Sequence, residues 1–91
     1  MKTIWKFELG TTDSQEVKMP IGSKVLCVQV QNKVPVLYAE VNTELPQIPF
    51  SIETYGTGHD IPVAKNNRDY IGTYQLYSGS LVFHVFLVTT N

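Results

Sequence analysis

Apolar and polar residues alternate along most of this chain, and the alternation marks strands rather than helices. Thr3 to Leu9 puts Trp5, Phe7 and Leu9 on one side and Lys6 and Glu8 on the other, the pattern of a half-buried strand. A turn cluster, Gly10-Thr11-Thr12-Asp13-Ser14, follows. Gln15 to Met19 reads as a short strand returning beside the first, and Pro20-Ile21-Gly22-Ser23 stops it. Lys24 to Gln31 is the clearest strand, with Leu26, Val28 and Val30 on one face and Cys27, Gln29 and Gln31 on the other. Asn32-Lys33 suits a hairpin turn, because Asn tolerates positive φ. Val34 to Val41 returns, with Leu37, Ala39 and Val41 on one face and Val36, Tyr38 and Glu40 on the other.

Pro46 and Pro49 make Asn42 to Pro49 a loop. Phe50 to Tyr55 alternates again and runs into a glycine bend, Tyr55-Gly56-Thr57-Gly58-His59-Asp60. His59 to Asp69 is about eleven residues without periodicity, and loops of that length in a small domain are usually functional or mobile. Tyr70 to Tyr77 is a strand with Gly72 inside it, a place for a bulge or a close approach. Ser78-Gly79-Ser80 turns the chain into Leu81 to Val88. That last strand is apolar on both faces except for His84, so it reads as central and covered on both sides. No stretch has a helical period. The expectation is an all-β fold, a small antiparallel sandwich or barrel-like meander of about seven strands, in a single domain over residues 1–91.

Composition narrows the function. A chain of 91 residues buries a small core, and only 16% of it is charged, which fits a surface partly covered by further copies of itself. The net charge of −1 argues against polymeric nucleic acid, which needs a basic face to displace counterions. It leaves room for a small phosphate ligand. The one cysteine, Cys27, sits between Leu26 and Val28 and reads as a buried strand thiol in a reducing compartment. No apolar run is long enough for a membrane span, and Met1 to Lys6 lacks a signal peptide's apolar stretch. A cytoplasmic location follows as the expectation.

Catalytic chemistry needs a nucleophile, a base or a metal. The two histidines, His59 and His84, have no metal-ligand spacing, and neither a nucleophile elbow nor a phosphate-binding loop of the P-loop type is present. His59 and Asp60 are neighbours in an extended chain and point apart. The expectation is a non-enzyme with no cofactor and no metal. His84 reads as a core histidine bonded to a backbone carbonyl, unless the face of Val82, His84 and Phe86 meets another subunit. Trp5 reads as core, with Lys6 on the solvent or ligand side. Tyr55, Tyr70, Tyr74 and Tyr77 gather around the long loop and the last hairpin. Tyrosine can stack on a base and bond its edge, and it also packs well in ordinary strands. In the glycine bend, Gly56 and Gly58 would leave backbone N–H groups bare for an anion or a base edge, with Thr57 and His59 as polar contacts. The same bend is also what a tight turn at a strand end requires.

Several strings taken together carry a resemblance: Ile4-Trp5-Lys6-Phe7, Met19 to Leu26, Val28-Gln29-Val30-Gln31, Tyr55-Gly56-Thr57-Gly58-His59, Tyr70 to Leu76, and Leu81 to Phe86. In this order they resemble a family of small phage and bacterial single-domain β proteins that includes the phage anti-CBASS sponge proteins. The resemblance implies a phage immune-evasion protein that acts in the host bacterial cytoplasm. It would bind a cyclic oligonucleotide signal, a cyclic dinucleotide such as cyclic GMP-AMP, and hold it uncleaved. It also implies a small oligomer, and the low charge, small size and doubly apolar last strand favour a homo-oligomer, a tetramer over a dimer, with pockets between subunits. Ligand contacts are then expected at Lys6, Tyr55, Gly56, Thr57, Gly58, His59, Arg68, Tyr70, Thr73, Tyr74 and His84. The long loop, with Lys65 and Arg68, would supply a lid and charge. A different class stays open beside it: a structural or protein-interaction module of phage origin with no small ligand.

Overall fold

Seven strands form in the computed structural model, which describes residues 1–63 and 67–89. They are β1 (Lys2–Glu8), β2 (Ser14–Pro20), β3 (Lys24–Gln31), β4 (Val34–Asn42), β5 (Gln47–Gly56), β6 (Asn67–Leu76) and β7 (Leu81–Thr89). All pairs are antiparallel. One sheet has the order β1-β4-β3 and the other β2-β5-β7-β6. The all-β architecture is the one the alternation predicts; the strand order corrects the expected meander, since only β3–β4 and β6–β7 pair consecutive strands and the chain forms two sheets.

The inward-facing sets of the two sheets make one core. In the first sheet Trp5 lies opposite Ala39 and Phe7 opposite Leu37. In the second, Ile52 lies opposite Leu87 and Thr54 opposite Val85. Met19, Leu37, Ala39, Ile52 and Val85 are fully buried between them. The Cα trace is 16 Å through its thinnest dimension. Two layers of backbone stacked about 10 Å apart fill that depth with side chains, so any ligand must sit on the outside or between copies.

Several expectations are corrected. β2 pairs with β5 and not with β1. The Gln15 side chain accepts from Gly10 N–H at 3.0 Å and donates to Gly10 O at 2.8 Å. A hairpin partner would need those backbone groups, so the chain leaves the first sheet there and crosses to the second. In β3 the register shifts between Val25 and Cys27. The extra residue is Leu26, which is 43% exposed, and Val25 takes the inward place instead. Cys27 is correspondingly only half-buried. Gln47 to Pro49 belongs to β5 rather than to a loop, paired with β2 beyond the β5–β7 pair at Ser51 and Val88, where among the described residues the missing proline N–H has no third strand to serve. The long loop is shorter than its lack of period suggests, because Asn67 to Asp69 already pair with β7.

β7 is central, as expected, but among the described residues its own chain covers only one of its faces. Val82, His84, Phe86 and Val88 project from the outer face of the second sheet. Among the described residues there is no helix, and so none long and apolar enough to cross a membrane.

Candidate functional site on the outer face of the second sheet

Strand parity decides what gathers on this face. Tyr55 on β5 is level with His84 on β7, and His84 is level with Thr73 on β6. One row along, Glu53 is level with Phe86, and Phe86 with Tyr70. Arg68 comes next, opposite Val88. Tyr70 and Thr73 are three positions apart, and an unbroken strand would send them to opposite faces. A register shift between Tyr70 and Gly72 makes Ile71 the extra residue and brings both onto the same face. Gly72 permits this, since a Cβ there would lie 3.0 Å from Val28 Cβ and 3.1 Å from Val28 N. The expected bulge and the expected close approach are therefore one feature.

Two clusters result. In the first, Tyr70 OH lies 2.6 Å from Thr73 Oγ1, Thr73 Oγ1 lies 3.0 Å from His84 Nδ1, and His84 Nε2 lies 2.7 Å from Thr57 Oγ1. A neutral imidazole carries one N–H, and three hydroxyls add three more hydrogens for these three bonds. One hydrogen is left over, at Thr57 when the chain donates one way and at Tyr70 when it donates the other. The row thus offers an outward donor at either end. In the second cluster Arg68 Nε donates to Glu53 Oε1 at 2.6 Å and Tyr55 OH donates to the same oxygen at 2.7 Å. The guanidinium carbon sits 5.7 Å from the Tyr55 ring centroid. The Tyr55 and Arg68 hydrogen bonds hold the Glu53 carboxyl below its usual range. Burial, then the bond to Glu53, pushes the Tyr55 phenol up. Phe86 joins the clusters, edge-on to Tyr55 at 6.0 Å and to Tyr70 at 5.8 Å.

Of the residues singled out from sequence, Tyr55, Thr57, Arg68, Tyr70, Thr73 and His84 meet here. His84 is not a core histidine bonded to a backbone carbonyl; two threonine hydroxyls hold it on the outer face. Arg68 acts from strand β6 and not from a loop. Lys65 lies outside the described residues. Tyr74 is corrected to a core residue, 4% exposed and packed on Phe83 at 5.4 Å, and burial raises its phenol pKa. Lys6 is on the outer face of the other sheet, bonded to Gln31 at 2.7 Å, so within one chain it does not join this group. Tyr77 is exposed at the tip of the last hairpin.

The glycine bend is also corrected in part. Thr57 N–H bonds across to Val82 O on β7 at 3.2 Å and His59 N–H to Gly56 O within the turn at 3.1 Å, so those amides are used rather than left bare. Gly58 has φ +86°, as the turn requires. The His59 ring lies on Gly56, where a Cβ would fall 2.9 Å from Nδ1 and Cε1. Phe86, read from sequence only as part of the face of Val82 and His84, and Glu53 are the members not expected as ligand contacts. The signal was present: Phe86 shares parity with His84, and Glu53 shares it with Tyr55.

Chemically, the face offers aromatic rings, one cation held beside a carboxylate, and a row of hydroxyls joined through an imidazole. Such groups can stack on a base and bond phosphate or base edges. Among the described residues no group of three His, Cys, Asp or Glu side chains is placed to hold a metal ion.

A family model described as a domain of unknown function (DUF7352) matches residues 1–91. No curated protein and no solved structure matches the chain.

Proposed function

We propose, for a chain that belongs to the DUF7352 family, that it binds a cyclic oligonucleotide signal on the outer face of the second sheet and holds it without cleaving it. The observation that carries this reading is the convergence of Tyr55, Thr57, Arg68, Tyr70, Thr73 and His84 around Phe86. Bases stack on Tyr55 and Tyr70, a contact that contributes on the order of 1–3 kcal/mol per base. Phosphates take the Thr57 end of the hydroxyl row and the Arg68 guanidinium. His84 orients the two threonines and has no carboxylate bonded to it among the described residues, and Glu53 is engaged by Arg68 and Tyr55, which suits retention rather than turnover.

A second copy covers the ligand, because a single sheet face is open on one side. The protein is then a homo-oligomer, with four subunits favoured, working in the host bacterial cytoplasm as a phage immune-evasion sponge. The low charge and the uncovered face of β7 support association.

One observation favours a different class. Val82, Phe86 and Val88 form an apolar stripe along β7, and Tyr70 is 60% exposed beside it. A protein-interaction module would use that stripe with no small ligand. Thermal shift with cyclic di- and trinucleotides separates the two, since a ligand at 100 times its Kd stabilises by about 2.7 kcal/mol. Thr57→Ala is the matched variant. A hydrogen bond to a charged group is worth about 1.5–3 kcal/mol, so affinity should fall at least about tenfold with the oligomer intact. No shift with any cyclic nucleotide supports the interaction module. Linear products accumulating beyond one turnover refute sequestration.

A further inference from the structure

The edge strands of the two sheets, β1, β3, β2 and β6, are not equivalent. β3 and β6 lie against each other where the sheets meet on one side, and each carries an extra residue. A bulge and a close neighbour both blunt an edge against further pairing. On the other side, β2 bonds to β5 through its odd-numbered residues, since Thr54 N–H bonds to Asp13 O and Ile21 N–H to Pro46 O. Its even-numbered residues turn outward, and among them Pro20 has no N–H to offer. β1 has neither a proline nor a bulge, and it pairs with β4 in unbroken register. Thr43 N–H bonds to Met1 O and Leu9 N–H to Pro35 O, both at 2.9 Å, so the odd-numbered residues of β1 turn their backbone groups to β4. Lys2, Ile4, Lys6 and Glu8 turn theirs to the free edge, where those groups make no hydrogen bond among the described residues. The inner side of this edge is also unfinished. Trp5 and Phe7 are only half-buried, although Ala39 and Leu37 opposite them are fully buried. On β2, by contrast, the inward Val17 and Met19 are already buried.

We infer that β1 pairs antiparallel with β1 of a second copy about a twofold axis, joining the two first sheets into one continuous sheet. This interface is separate from the outer face of the second sheet and does not rest on the nucleotide reading. Backbone parity limits the register, because outward groups must meet outward groups. Centring the axis on Ile4 sets Lys2 against the second copy's Lys6, and centring it on Lys6 sets the two Lys6 side chains against each other. Like charges directly opposite are unfavourable. Centring it on Trp5 sets Lys2 against the second copy's Glu8 and Ile4 against its Lys6, and the twofold repeats both pairs. Lys6 leans over its own sheet to Gln31 at 2.7 Å, which draws its charge away from the axis. On the inner side Trp5 meets its own copy and Thr3 meets Phe7, so the half-buried rings gain cover. Combined with a contact through the face of β7, two different twofold interfaces close at four subunits.

Sedimentation velocity on the full chain, with Lys2→Glu, Glu8→Lys and the double variant, tests this. Each single change sets like charges against each other at both ends of the pairing and should weaken the association at least about tenfold. Both positions are exposed in the single chain, so circular dichroism should show the fold intact. The double variant exchanges the two charges and should restore the original assembly. Mixing the two single variants should restore it as well, since each supplies the charge that the other lacks. An unaltered chain that is monomeric at micromolar concentration overturns the inference. So do single variants that assemble as tightly as the unaltered chain, or a double variant that stays dissociated.

Discussion

Gly72→Ala is the sharpest test of how the fold builds the outer face. A Cβ at position 72 would meet Val28 at Cβ (3.0 Å), N (3.1 Å) and Cα (3.5 Å). Two of those atoms belong to backbone in the middle of β3, which cannot rotate away. Relief requires β6 to move off β3, and those strands are the contact between the two sheets on that side. Overpacking of this kind costs about 1–3 kcal/mol. The backbone adds to it, since φ at Gly72 is +157°, a value L residues rarely adopt, and such strain costs of order 1–3 kcal/mol. The combined loss is about 2–6 kcal/mol, and at roughly 4–8 °C per kcal/mol for a domain of this size the Tm falls by about 8–48 °C. Gly58→Ala is the control. Its φ is +86°, but nothing lies within 4 Å of the added Cβ, so it carries only the left-handed cost of about 1–2 kcal/mol. Urea unfolding followed by the fluorescence of Trp5 measures both. If the two variants lose the same stability, the approach to Val28 is soft, and the reasoning that a rigid contact sets the β6 bulge fails.

Two further outcomes follow from the titrating groups. The Glu53 carboxyl is lowered by its bonds to Tyr55 and Arg68, so it stabilises the fold above its unfolded pKa of about 4.3, and that contribution disappears as pH falls through the lower folded value; Glu53→Gln should flatten the stability profile below about pH 5, and an unchanged acid limb would refute the linkage. The Tyr74 phenol is raised by burial, so stability should decline as pH rises past about 10, and Tyr74→Phe should remove part of that decline in urea midpoints measured from neutral to alkaline pH.

Much of the fold was legible because alternation is a local signal. The inward sets of β1 and β4, the Asn32-Lys33 turn and the central place of β7 all follow from residues adjacent in sequence. Both turn residues have positive φ, 51° and 68°. What alternation could not reveal is partnership. β2 reads as a strand either way, and only the Gln15 clamp on Gly10 shows why it leaves the first sheet. Bulges defeat alternation for a different reason. An extra residue reverses parity for everything after it, so Leu26, grouped by alternation with Val28 and Val30, leaves that face and Val25 packs against the core instead.

The same parity argument explains the site. Thr57, Tyr55, Tyr70 and His84 were visible as residue types with suitable chemistry, but chemistry alone also selected Tyr74 and Lys6. Tyr74 is adjacent to Thr73, so whichever face takes one must lose the other. The bulge at Ile71 gives the outer face to Tyr70 and Thr73 and sends Tyr74 into the core. Without that extra residue the face would hold Tyr70 but neither Thr73 nor the hydroxyl row through His84. The contact that keeps the extra residue in place is on the inner side, where Gly72 meets Val28 of the opposite sheet. A glycine with no contact to the outer face therefore decides which side chains reach it, and a change there should alter binding and stability together, whereas Thr57→Ala should alter binding alone.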